Sequence, residues 1–226
     1  MKVIYYGHAC FSVAVGGKTL LFDPFITQNP LAKAVNASKI PADYILVSHG
    51  HDDHMADAID IAKRTGATAI ANYEVACWLG EKGAPIIHPL NHGGGFNFDF
   101  GRVKFVNAVH SSMLPDGSNG GNAGGFVIES ADGNFYFSGD TALTLDMKLI
   151  GESVKLKFAA LCIGDNFTMG ADDAIKAADF IRCNEILGVH YDTFPPIEID
   201  HKAAVEKFKA AGKNLHLLRP GETHEF

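Results

Sequence analysis

The stretch Ser48-His49-Gly50-His51-Asp52-Asp53-His54 governs the reading of the whole chain, because it places three imidazoles and the Asp53 carboxylate within six consecutive residues. Such a density of metal-ligating side chains is hard to account for by packing. His49 and His51 alternate as residues at the end of a strand do, so both can point to one side of it. Asp53 and His54 then begin the next element and turn back toward the same place. The flanks agree with an extended entry and a helical exit, since Asp43 to Ser48 is strand-like and Met55 to Arg64 is helix-like. The competing reading is a His-rich surface loop, or a helix cap with Asp52 or Asp53 near the first turn.

The segment resembles the signature of the metallo-β-lactamase superfamily, whose members complete the site with a further His, an Asp and a last His. All three follow in order. His110 comes after the strand-like run Val103 to Val109, Asp140 after Asn134 to Gly139, and His190 after Glu185 to Val189. Each candidate stands at the C-terminal end of an apolar run, which is how separate strands bring distant residues to one edge of a sheet.

The chain has 226 residues, 47% hydrophobic and 20% charged, which suits one globular domain, residues 1–226, with a substantial core. Its formal net charge of −7 argues against broad nucleic-acid or anionic-membrane binding, partners usually met by a basic surface. His8 and Asp23 interrupt the N-terminal apolar runs, so no signal-like core or membrane span is expected and a cytoplasmic location is. Cys10, Cys77, Cys162 and Cys183 show no C-x-x-C pairing and read as buried free thiols in a reducing compartment.

Taken in order, Val3 to Tyr6, Phe11 to Val15 and Thr19 to Phe22 predict a β-meander with a Gly16-Gly17 hairpin turn. His8 lies between the first two strands, either as a hydrogen-bonded core residue or as a group facing the substrate or the ligands. Asn29 to Ala42 reads as a loop and a candidate lid on the substrate side. A β-α-β rhythm follows over Ala67 to Ala71, Glu74 to Lys82 and Pro85 to Ile87, with His88 and His92 as turn residues. Gly93-Gly94-Gly95 lacks the context of a phosphate loop. Phe96 to Phe100 and Val103 to Val109 form a hairpin. Ser111 to Gly125, rich in glycine, is an exposed excursion placed to touch substrate. After the hairpin that ends at Asp140, strands Phe158 to Ile163, Glu185 to Val189 and Leu215 to Leu218 alternate with helices near Asp172 to Phe180 and His201 to Ala211. The similar element order of the two halves predicts an α/β fold, a pseudo-duplicated four-layer α-β-β-α sandwich of two packed mixed sheets flanked by helices.

Gly7-His-Ala-Cys-Phe11, Gly164 to Gly170 and His190 to Pro196 extend the resemblance over essentially the whole chain, to uncharacterised metal-dependent hydrolases related to the ascorbate-phosphate lactonases. The resemblance implies one metal held by His49, His51 and His110, a second by Asp53, His54 and His190, and Asp140 as the bridge. Zn²⁺ suits such ligands first, with Mn²⁺, Ni²⁺ or Fe²⁺ able to occupy the same set. It further implies a hydrolase in which a metal-bridging hydroxide, between ions about 3.5–4 Å apart, cleaves a lactone, ester or phosphoester. Asp53 and Asp140 then act in catalysis as ionised ligands, with His8 as a neighbouring catalytic candidate. Two dications facing two carboxylates favour a small, anionic substrate. The alternatives are a non-catalytic metal-binding protein and a di-iron redox protein, although the di-iron branch replaces the second His of the motif by Glu, and His51 is present. A homo-oligomer is left open.

Overall fold

The structure is a computed structural model that describes residues 1–226. Its first strands form the expected meander, β1 (Lys2–Gly7), β2 (Cys10–Val15) and β3 (Lys18–Phe22), antiparallel throughout. Strand β4 (Tyr44–Leu46) then pairs in parallel with β3 and leads into the His-rich turn. The helix expected from Met55 to Arg64 is broken in two, α1 (Asp52–Met55) and α2 (Ala58–Thr65). The break has a cause: Asp57 between them accepts hydrogen bonds from the Ile26 and Thr27 backbone N–H groups at 2.6 and 2.9 Å and from the Thr27 hydroxyl. Strand β5 (Thr68–Asn72), helix α3 (Tyr73–Glu81) and strand β6 (Ile86–Leu90) complete this half. His88 therefore lies inside a strand, not in the turn expected for it.

The second half repeats the plan. Strands β7 (Gly95–Phe98), β8 (Gly101–Asn107), β9 (Gly124–Glu129) and β10 (Phe135–Phe137) are antiparallel neighbours. After α4 (Met147–Ser153), the strands β11 (Phe158–Cys162), β12 (Glu185–Val189) and β13 (Asn214–His216) continue the sheet in parallel, linked by α5 (Ala171–Phe180) and α6 (His201–Ala210). A last strand, β14 (Thr223–Glu225), returns to β1. Two seven-stranded sheets result, ordered β14-β1-β2-β3-β4-β5-β6 and β13-β12-β11-β10-β9-β8-β7. The short α4 and the polar β14 had no counterpart in the sequence reading.

Packing follows the alternation along the strands. One face of each sheet fills the space between them with Phe11, Phe22, Phe105, Phe126, Phe135, Phe137 and Phe158, all fully buried. The opposite faces meet α2 and α3 on one side and α4, α5 and α6 on the other, giving the four layers. The 29–42 segment is pinned to the first helical layer by buried Ala32, Ile40 and Ala42, and Arg64 donates to the carbonyl of Ile40 at 2.5 Å. As a lid it would have to break these contacts.

Because β3, β4 and β5 are parallel, as are β10, β11 and β12, their C-terminal ends open on one edge of the sandwich. That edge carries the candidate site.

Candidate metal centre

All seven residues singled out as ligands converge at this edge. His49, His51 and His110 can direct one nitrogen each into a space where all three atoms lie within 4.8 Å of one another, and Asp53, His54 and His190, together with His8, form a second such group. Asp140 sits between them: its Oδ2 is 2.9 Å from His190 Nε2, 3.3 Å from His54 Nε2 and 3.6 Å from His110 Nε2. His49, His54, Asp140 and His190 are buried. Their loops leave β4, β8, β10 and β12, so the edge gathers residues separated by up to 141 positions, 190 minus 49.

The backbone is shaped for this. His8, Asp23 and His190 all have left-handed φ angles, 57°, 39° and 58°, which non-glycine residues adopt at a cost of about 1–3 kcal/mol and which gather at functional sites. His190 N donates to His8 O at 2.9 Å, so two strained residues from opposite halves hold each other. Gly139, at φ 57°, turns the chain into Asp140, and a Cβ there would meet Gly124 O at 2.6 Å and the Ser48 side chain at 2.8 Å.

Neighbouring groups select which ring nitrogen faces inward. Asp23, fully buried, accepts from Ser48 N at 2.7 Å, Ser48 Oγ at 2.6 Å and His54 Nδ1 at 2.7 Å. His54 therefore presents Nε2 to Asp140. Since Ser48 Oγ donates to Asp23, it accepts from His49 Nδ1 at 2.9 Å, which leaves His49 Nε2 unprotonated, an acceptor 2.9 Å from His51 Nδ1. His51 Nε2 reaches Ser111 Oγ at 3.3 Å. Burial pushes the His8 imidazole down to about 4, so it is neutral. Its Nε2–H must then donate to the acceptor-only Asp53 carboxylate at 3.1 Å, and Thr193 Oγ1 donates to its Nδ1 at 2.8 Å. Asp23, Ser48 and Thr193 are the residues the sequence reading missed. The signal for Asp23 was its place directly after β3, as Asp140 follows β10 after two residues.

The electrostatics hold two carboxylates ionised inside the site. Burial lowers His49, His51 and His110 below the usual imidazole range. In His54 burial acts the same way, but the Asp140 and Asp53 carboxylates overcome it and hold the imidazolium well above that range. Burial would raise Asp140 and Asp53, yet His190 and His54 hold the first, and His54 and His8 the second, well below the carboxylate range. The ionised Asp53 and Asp140 carboxylates thus share the buried site with the His54 imidazolium. His54 Nε2, Asp140 Oδ1 and His190 Nδ1 are buried and hydrogen-bond to nothing, an arrangement that ordinarily costs about 1–3 kcal/mol per group. Divalent cations would partner both the orphaned atoms and the ionised carboxylates, and imidazole and carboxylate are suitable donors for them.

A family model described as the beta-lactamase superfamily domain matches residues 2–190. The chain is 53% identical over 225 residues, 100% of each sequence, to a UPF0173 metal-dependent hydrolase of Flavobacterium johnsoniae. It belongs to the metallo-β-lactamase superfamily, in the UPF0173 family of metal-dependent hydrolases. A UPF0173 relative from Thermus thermophilus is 41% identical over 222 residues, covering 98% of this chain and 97% of its own. Among solved structures, Igni18, a metallo hydrolase of Ignicoccus hospitalis, superposes with a TM-score of 0.89 at 34% identity, covering 100% of this chain and 98% of its own.

Proposed function

We propose that the seven converging residues hold two divalent ions, Zn²⁺ first among them, and that the protein cleaves a lactone, ester or phosphoester of small molecular size. In this reading His49, His51 and His110 hold one ion, Asp53, His54 and His190 the other, and Asp140 lies between. The ions would supply a water acidic enough to attack at neutral pH and a Lewis acid for the scissile carbonyl or phosphoryl oxygen. The chain's own residues do the positioning. Asp23 fixes the His54 tautomer, Ser48 fixes that of His49, and the Thr193 to His8 to Asp53 chain of hydrogen bonds restrains the Asp53 carboxylate. His8 acts here as a positioning residue. A net charge of −7 favours a small molecule over a nucleic acid as partner.

The observation that carries this reading is the pair of orphaned, buried atoms His54 Nε2 and Asp140 Oδ1, on two residues that approach to 3.3 Å through His54 Nε2 and Asp140 Oδ2. The test is to strip the protein with chelator, reload it with Zn²⁺ or Mn²⁺, and screen lactones, carboxylic esters, phosphodiesters and phosphomonoesters. Metal-dependent turnover of one class is expected. Full metal loading with no turnover of any class would point to a non-catalytic metal-binding protein.

A further inference from the structure

The loops around the metal centre carry a chemistry of their own. Val109 precedes His110, and its carbonyl accepts from Ala142 N at 3.2 Å, so it stands beside the segment that carries Asp140. Met113 lies against the His-rich turn, where a Cβ on Gly50 would come within 3.3 Å of its main chain. The turn that holds Phe167 is tied to the same place by Met169 N, which donates to Thr141 O at 3.0 Å. The Phe194 ring meets that of His8 at a centroid distance of 5.6 Å. Val109, Met113 and Phe167 are each more than half exposed on loops tied to the site, and exposed large apolar side chains around a site mark a place of binding.

Charge in these loops is one-sided. Residues 7–10, 23–30, 48–54, 108–123, 139–146, 163–170 and 190–197 contain no Lys or Arg, and apart from histidine every ionisable side chain in them is Asp or a Cys or Tyr. Lys82, which reaches the 108–123 loop from α3, is held by Asp116 at 3.4 Å. A phosphate carried by a substrate is normally met by Arg or Lys donors. Resting on the hydrolase reading above, we propose that the site selects an uncharged carboxylic ester or lactone that carries an apolar group beside the scissile bond, and discriminates against phosphorylated substrates. The acyl C–O bond to the leaving oxygen breaks, water supplies the new acyl C–O bond, and a water proton leaves with the alcohol. Negative charge then develops at the reacting carbon's oxygen and not elsewhere on the substrate. The metals by themselves would favour an anionic substrate, and the rim without Lys or Arg is what argues for an uncharged one.

The experiment uses Zn²⁺-loaded full-length protein. Rates are measured for p-nitrophenyl acetate, butyrate and octanoate against p-nitrophenyl phosphate and bis(p-nitrophenyl) phosphate. Calorimetry compares acetohydroxamate, octanohydroxamate and inorganic phosphate as ligands. Both kcat/KM and hydroxamate affinity should rise about two- to fourfold per methylene, and Met113→Lys and Phe167→Lys should each flatten that rise. A flat chain-length dependence, or faster turnover of either phosphoester, would overturn the proposal and leave the hydrolase reading standing. Hydroxamate affinity that climbs with chain length while no ester or phosphoester turns over would uphold the apolar site and remove the hydrolase reading. Should the two Lys variants alter the oligomeric state in light scattering and leave the chain-length slope intact, the patch is a contact between copies and the proposal fails.

Discussion

Asp23 decides which nitrogen His54 offers to the site. Its Oδ2 takes the proton of His54 Nδ1, and an amide in its place would present N–H groups there, turning the imidazole to the tautomer whose Nε2 carries hydrogen and ligates nothing. Asp23→Asn should weaken the second metal by about ten- to a hundredfold, as removal of a ligand's orienting partner commonly does. Metal titration into the stripped variant measures this, and two sites of unchanged affinity would make Asp23 a structural residue only. His8 is expected to behave differently. His8→Ala removes the restraint on Asp53 but no assigned ligand, so turnover should fall by about tenfold or more while metal content stays close to that of the wild type. Loss of an equivalent of metal would instead place His8 Nε2 among the ligands, which its distance to Asp53, His54 and His190 allows. The thiols give a third expectation. Burial pushes Cys183 up to about 11, so its neutral form is favoured. The stability this contributes is present below about pH 8.5 and is lost as pH rises toward 11. At pH 8 iodoacetamide should label half-buried Cys77 first, with Cys10, Cys162 and Cys183 reacting only after unfolding, as read by mass spectrometry.

At the level of elements, the strand ends were legible because four apolar runs lead into His49, His110, Asp140 and His190, and these residues converge only if the strands share an edge. The break between α1 and α2 was not, because Ala56 and Asp57 continue the helical pattern. What stops the helix is a tertiary contact, Asp57 capturing the backbone of residues 26 and 27. Helix α4 is short and contains Gly151, and β14 reads Thr-His-Glu, so neither has a periodicity to detect. Gly139 shows how much the turn before Asp140 is constrained. Gly139→Ala adds a Cβ against Gly124 O at 2.6 Å on top of an unfavourable φ, and should cost about 1–3 kcal/mol, a loss of roughly 2–12 °C in Tm. Gly66→Ala has a similar φ, 74°, and open space around it. It should cost less, and equal losses in calorimetry would show that the backbone angle alone, not the close approach, requires glycine at 139.

The whole molecule is two copies of one plan whose halves meet at the site. Each sheet runs from antiparallel neighbours to three parallel steps, and β14 takes beside β1 the place that β7 takes beside β8. This symmetry was legible as an element order, while the return of the chain to β1 was not. Deleting residues 222–226 should expose the β1 edge and promote aggregation on heating, with light scattering as the readout. Besides the shared aromatic core, His190 N to His8 O and Gly124 N to Ser48 O, at 2.9 and 3.1 Å, join the halves beside the proposed ligands themselves. Metal that binds only the folded chain should therefore raise Tm, and chelation should lower it. The most direct test is metal stoichiometry in wild type and in Asp140→Asn, titrated from the stripped state and read by elemental analysis with calorimetry. Asp140→Asn keeps a coordinating oxygen but would remove a negative charge between the two proposed dications, whose repulsion would then rise. The wild type should take up close to two ions per chain, and the variant should retain the one at His49, His51 and His110 and bind the other far more weakly. Two equally tight sites in the variant, or no more than trace metal in the wild type, would contradict the account.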